Sequence, residues 1–132
     1  MRNIVLGLMI VAALIAASMP LMAHHSFAAE FDSNKQIKLT GVVTKVDWTN
    51  PHVWFYFNVK DESGQVINWG AEMGPPHLLQ AQGWTRTAMK IGDTVVVSGS
   101  LAKNGSKRVN ARSVTTPDGK KMGAASSEGV TP

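Results

Sequence analysis

In HVWFYFNVK, residues 52–60, the side chains alternate in character from one residue to the next. Val53, Phe55, Phe57 and Val59 share one side of an extended chain and His52, Trp54, Tyr56 and Asn58 the other, because successive side chains of a strand point to opposite faces. The stretch therefore reads as a strand whose first set is core. Upstream, IKLTGVVTKVDWTN (37–50) is rich in β-branched residues, carries Gly41 where a strongly bent strand would want one, and stops at the turn signal Thr49-Asn50-Pro51. Downstream, Asp61-Glu62-Ser63-Gly64 is a hairpin turn and QVINWGAEM (65–73) the returning strand.

The period then changes. After Gly74-Pro75-Pro76, HLLQAQGW (77–84) suits a short helix opened by proline and closed by Gly83. IGDTVVVSGSL (91–101) gives a fourth strand with Val95, Val97 and Leu101 inward, KNGSKR (103–108) a turn, and VNARSVT (109–115) a fifth strand with Arg108, Asn110 and Arg112 outward. Three strands, a helix and two strands is the order of an OB-fold, so the expected class is all-β, a small five-stranded OB-like Greek-key barrel with one short helix between strands 3 and 4. An unclosed sandwich with the same order is the alternative. Trp84, just past the helix, most simply plugs one end of the barrel.

Around this domain, expected over 36–115, the chain changes character. Arg2 and the uncharged apolar run from Ile4 to Ala17 read as a secretory signal, too short for a bilayer span of roughly 20 residues. Pro20 and Ala23 mark a cleavage point, so 1–23 is expected to be removed, leaving 24–35 as an N-terminal segment with His24 first. A rival cut after Ala28 would discard both His24 and His25. Processing at either point leaves no transmembrane anchor and implies the periplasm or secretion; a retained N-terminal anchor is the third option. The 13 Lys and Arg against 9 Asp and Glu give a mild positive balance, not a nucleic-acid charge stripe. With no cysteine, no disulfide supports the core. Residues 116–132, rich in Gly, Ser, Lys and Pro, read as a disordered tail.

Three stretches, HHSFAAEFD, GVVTKVDWTNPHVWFYFNV and GDTVVVSGSLAKNGSKRVNARSV, together resemble a family of small exported bacterial proteins classed as a domain of unknown function. The paired histidines ahead of Ser26-Phe27 and the Trp48-x-Asn50-Pro51-His52 turn are its specific parts. The resemblance implies an envelope protein of β-barrel type and brings no activity with it.

Function must be argued from the residues. The four histidines, His24, His25, His52 and His77, all sit at ends of expected elements, where imidazoles are accessible. A free α-amine on His24 and its own imidazole can chelate one metal ion, and His52 or His77 as a third nitrogen would complete a copper brace. Nitrogen ligands favour Cu(II), which tops the divalent affinity order. Met73 could add a soft ligand and Glu72 a hard one; His25 reads as solvated. The plain reading of the same histidines is a solvated tail and a strand-end imidazole bonded to a turn carbonyl.

A second class rests on Trp48, Trp54, Tyr56 and Trp69, spread over the first three strands, the region where OB-folds bind oligosaccharides or oligonucleotides. Export argues for a glycan or protein ligand, and no nucleic acid is expected. Against this, tryptophans on small barrels are commonly packing. Enzyme chemistry has the least support, since there is no nucleophile-elbow serine or cysteine, and Glu30, Asp32, Asp47, Glu72 and Asp93 form no recognisable pair. The expectation is a periplasmic binding protein with copper as its cofactor, or a glycan- or protein-binding module of the envelope.

Overall fold

The first strand is long enough to serve two partners. In the computed structural model, which describes residues 26–128 together with Met1 and Ile4, a short helix α1 (Ser26–Glu30) leads into β1 (Phe31–Asp47). The segment read as a signal, His24 and His25 lie outside the described residues, and the expected N-terminal segment 24–35 is in part α1 and the start of β1. Residues Gln36–Val42 of β1 pair with β4 (Thr94–Ala102), and Val42–Asp47 pair with β2 (Trp54–Lys60), both antiparallel. Gly41 stands at the handover because a Cβ there would overlap the Asn58 carbonyl and lie 2.8 Å from the Phe57 ring.

β2 pairs along its whole length with β3 (Val66–Glu72). β3 then pairs in parallel with β5 (Arg108–Thr115), through Gly70 with Arg108, Ala71 with Val109 and Glu72 with Asn110. Since β5 also pairs with β4, the ring β1-β2-β3-β5-β4 is closed, which is the OB-like barrel and not the open sandwich. Its helix, α2 (Pro76–Ala81), lies between β3 and β4 as expected, opening on Pro76 and followed by Gly83 at φ +96°, a conformation that glycine adopts without strain.

The alternation in residues 52–60 has the expected phase. Val53, Phe55 and Phe57 are fully buried with Val95, Val97, Val109 and Val114, while Trp54 and Tyr56 are half-buried on the outside. Trp84 is 2% exposed and donates from Nε1 to the Gly123 carbonyl at 2.8 Å, so its indole fills an end of the core with its polar edge satisfied.

The C-terminal stretch departs from expectation. From Thr116, where composition suggests disorder, the chain turns back as β6 (Lys121–Gly123) on the part of β5's edge that β3 leaves open. Met122 and Ala124 are buried, Ala124 N–H donates to the Arg112 carbonyl at 2.9 Å, and its own carbonyl accepts from Gly74 N–H at 2.8 Å. Small residues mislead here because they serve close packing: a Cβ on Gly74 would overlap the backbone of Ala125. Residues 124–128 thus form a strap over the outer wall of β3 and β5. Deleting residues 121–132 is expected to lower the melting midpoint by more than about 10 °C, on a scale of about 4–8 °C per kcal/mol for a domain of this size. An unchanged midpoint in a thermal melt would return the segment to the status of a loose tail.

Candidate functional site

On the outer face of β2 and β3 the two half-buried aromatics make a shelf. Trp54 and Tyr56 stack with centroids 6.5 Å apart and planes 20° from parallel. They lie flat because Gly70, opposite Tyr56 in register, offers no side chain; a Cβ there would stand 3.3 Å from the tyrosine ring. The same bare position is opposite Arg108 on the other side, and the Arg108 guanidinium reaches across to sit 4.6 Å from the Trp54 ring. Lys45, the register partner of Tyr56 on β1, brings its amine to 5.5 Å from that ring. The shelf is therefore aromatic and cationic together.

Beside it lies a histidine–carboxylate pair. His52 Nδ1 is 3.6 Å from Glu72 Oε1, with side-chain exposures of 28% and 11%. Glu72 shares the outward face of Trp54 by register, yet it is buried. Asn110, opposite it on β5, donates from Nδ2 to Oε1 at 3.0 Å and is itself 1% exposed. Ser126 of the strap donates to Asn110 Oδ1 at 2.6 Å and accepts the Glu128 N–H at 3.0 Å. Glu128 in turn takes two bonds from Arg112, at 2.8 and 2.6 Å, and one from Ser100 at 2.7 Å, whose hydroxyl accepts from Gln36. A chain of polar contacts thus runs from His52 along the outer wall to β1 and β4.

Burial raises the pKa of Glu72 above the ordinary glutamate range. The His52 and Arg108 charges and the Asn110 hydrogen bond oppose that shift, and the negative charge of Glu30 adds to it. Glu30 closes α1 and lines one cavity with Arg108, whose guanidinium sits on Trp54, so α1 lies at this edge of the shelf.

The site residues expected from sequence divide as follows. His52 is part of this cluster, and His24 lies outside the described residues. His77 is exposed on the first turn of α2. Met73 is 2% exposed in the hydrophobic core, with its backbone N–H bonded to the Val53 carbonyl at 2.8 Å, so its thioether belongs to packing. Among the described residues no three His, Asp or Glu side chains are grouped to hold a metal ion. Trp54 and Tyr56 face outward as a ligand surface requires; Trp48 packs at the edge of the core. Trp69 is on the inward register opposite Phe57 and only 7% exposed, so it is a core residue and not part of the shelf. Arg108, Lys45, Asn110 and Ser126 were not legible as site residues, although the outward parity of Arg108 and Asn110 on their strand was.

The chain belongs to the family of unknown function DUF6152. The match covers residues 12–111, which include His24, His52, Trp54, Glu72, Arg108 and Asn110 and stop before the strap. No curated protein matches the chain.

The raised Glu72 pKa has a consequence for stability. A carboxyl that holds its proton more tightly in the folded chain favours folding in acid, and that contribution is lost as pH rises from the ordinary glutamate range through the raised value. Glu72→Gln keeps the oxygen that accepts from Asn110 and removes the charge. In metal-free buffer it is expected to melt above the parent protein at pH 7–8, with the difference closing by about pH 4, where the parent carboxyl is also neutral. A constant offset across that range would mean that burial of the charge is not what sets the balance.

Proposed function

We propose that this is an exported binding protein of the bacterial envelope that holds a metal ion, Cu(II) by ligand chemistry, between an N-terminal His24 and His52. The observation that carries the reading is the seat of His52. Its imidazole is partly exposed while Nδ1 faces the buried Glu72 carboxylate at 3.6 Å, the kind of carboxylate backing that orients a ligand histidine and leaves its other nitrogen for the metal. The cavity that Glu30 lines with Arg108, beside the shelf, supports an approach of the N-terminal segment from the same side, and His24 stands two residues ahead of α1.

The chemistry follows from cleavage after Ala23. The new amine and the His24 imidazole would form a chelate, His52 would add a third nitrogen, and Glu72 would hold His52 in position. Amine and imidazole must both be deprotonated to bind, from pKa values of about 8 and about 6.5, so affinity falls steeply in mild acid. Exposed His77 and buried Met73 have no part in this arrangement.

A second reading is favoured by the Trp54–Tyr56 shelf, whose stacked, half-buried rings suit the flat face of a saccharide. The two readings separate by measurement. Mass spectrometry of the exported protein is expected to give a chain beginning at His24. Cu(II) titration should raise its melting midpoint, since a ligand at about 100 times its dissociation constant adds about 2.7 kcal/mol. A single glycine placed ahead of His24 and, separately, His52→Ala should each weaken copper binding at least about tenfold, a loss of about 1.4 kcal/mol. Copper affinity indifferent to both changes would rule out this site, and a mature chain beginning at Ala29 would remove His24 from it.

A further inference from the structure

A cavity of about 140 Å³ opens between α1 and the turn joining β4 to β5. Lys103, Asn104, Ser106 and Arg108 line one side, and Ala29, Glu30 and Phe31 the other. Lys103 fixes the two sides together, its backbone N–H donating to the Glu30 carbonyl at 2.8 Å and its amine to the Ala28 carbonyl. Two features of the lining are unspent. The Ser106 hydroxyl is buried with no hydrogen-bond partner among the described residues, a state that native structures rarely leave unanswered. The Arg108 guanidinium, which can donate five N–H groups, makes no hydrogen bond or ion pair among the described residues; its contact is the Trp54 face. With Lys103 and Arg108 against Glu30, the lining carries two cations and one carboxylate.

Arg108 is shared between this cavity and the aromatic shelf, and the sharing defines a ligand. The cavity has room for an oxyanion group. The rings of Trp54 and Tyr56, on the far side of Arg108, offer a flat apolar surface of the kind sugars stack on. We infer that cavity and shelf form one site for an acidic saccharide, whose carboxylate or sulfate enters the cavity to meet Ser106, Lys103 and Arg108 while its ring lies against Trp54. The inference deepens the saccharide reading and is independent of the metal one.

The test is an NMR titration of the protein in chelator-treated buffer with glucuronate, glucose and inorganic sulfate in parallel. Glucuronate is expected to move both the Ser106 amide and the Trp54 indole signals, and to bind at least about tenfold more tightly than glucose. Arg108→Gln and Trp54→Ala should each weaken it about tenfold and Ser106→Ala by a few-fold, in line with the worth of charge-assisted and neutral hydrogen bonds. All three positions lie at the surface or on a turn, and a thermal melt checks that each variant is folded. Glucose binding as tightly as glucuronate with the Trp54 signal moving would overturn the acidic-group assignment and leave the broader saccharide reading standing. Sulfate binding as well as glucuronate with Trp54 unmoved would reduce the site to a simple anion pocket and overturn the shelf's part. No movement with any probe would overturn the whole.

Discussion

Three parallel residue pairs hold the barrel shut. Where β3 meets β5, Gly70 faces Arg108, Ala71 faces Val109 and Glu72 faces Asn110. Without that contact the sheet would have two free edges, an exposed template for pairing with other chains; with it, β1 can bend around Gly41 and every strand of the ring has two neighbours. The same register assigns the functional side chains. An absent side chain at Gly70 gives Arg108 its path to Trp54, and the next outward pair sets Asn110 against Glu72. Closure and site are thus one geometric fact: a slip of one residue would turn Arg108 and Asn110 into the barrel and break both.

Placing Glu72 under the strap works against stability in the absence of a partner. Desolvating a carboxylate costs several kcal/mol when nothing compensates it, and a single hydrogen bond from Asn110 with a histidine at 3.6 Å offsets that only in part, which is why its pKa remains high. Glu128 makes the contrast. It too is covered, but it takes two bonds from Arg112 and one from Ser100, while its own backbone N–H donates to the Ser126 hydroxyl. One carboxylate is satisfied by the protein and serves to fasten the strap. The other is less fully satisfied and adjoins the partly exposed His52 imidazole, an arrangement of the kind that occurs at functional sites as well as in structural networks.

What the sequence revealed follows from how far each signal reaches. Period-two alternation is local, so residues 52–60 disclosed their core face, and the proline and glycine around α2 disclosed its ends. Trp69 was harder, because its face depends on the register between β2 and β3, which places it against Phe57; the alternation of QVINWGAEM alone does not say which parity is inward. Glu72 and Asn110 were harder still. Both lie on outward parities, and Asn110, which holds Glu72, is itself held by Ala124–Glu128, a segment whose Ala and Ser content imitates disorder while supplying close packing against Gly74 and Asn110. The cation–aromatic shelf depends on Gly70 as a missing side chain between three strands, information that exists only in the assembled sheet.

The two ends of the described chain then explain why the candidate chemistry gathers where it does. α1 and the strap meet: Phe27 and Phe31, with ring centroids 5.8 Å apart, line the same depression as Lys103 and Glu128. Between them they cover part of the outer wall that β4 and β5 would otherwise show to water, with Ser100 and Asn110 buried beneath Glu128 and Ser126. Among the described residues, no such segment covers the face of β1, β2 and β3 that carries Trp54, Tyr56 and Lys45, and His52 and Arg108 sit at its border with the covered wall. Positioning comes from the strands, whose hydrogen-bonded register holds Trp54, Tyr56, Lys45 and Arg108 in fixed relation to one another.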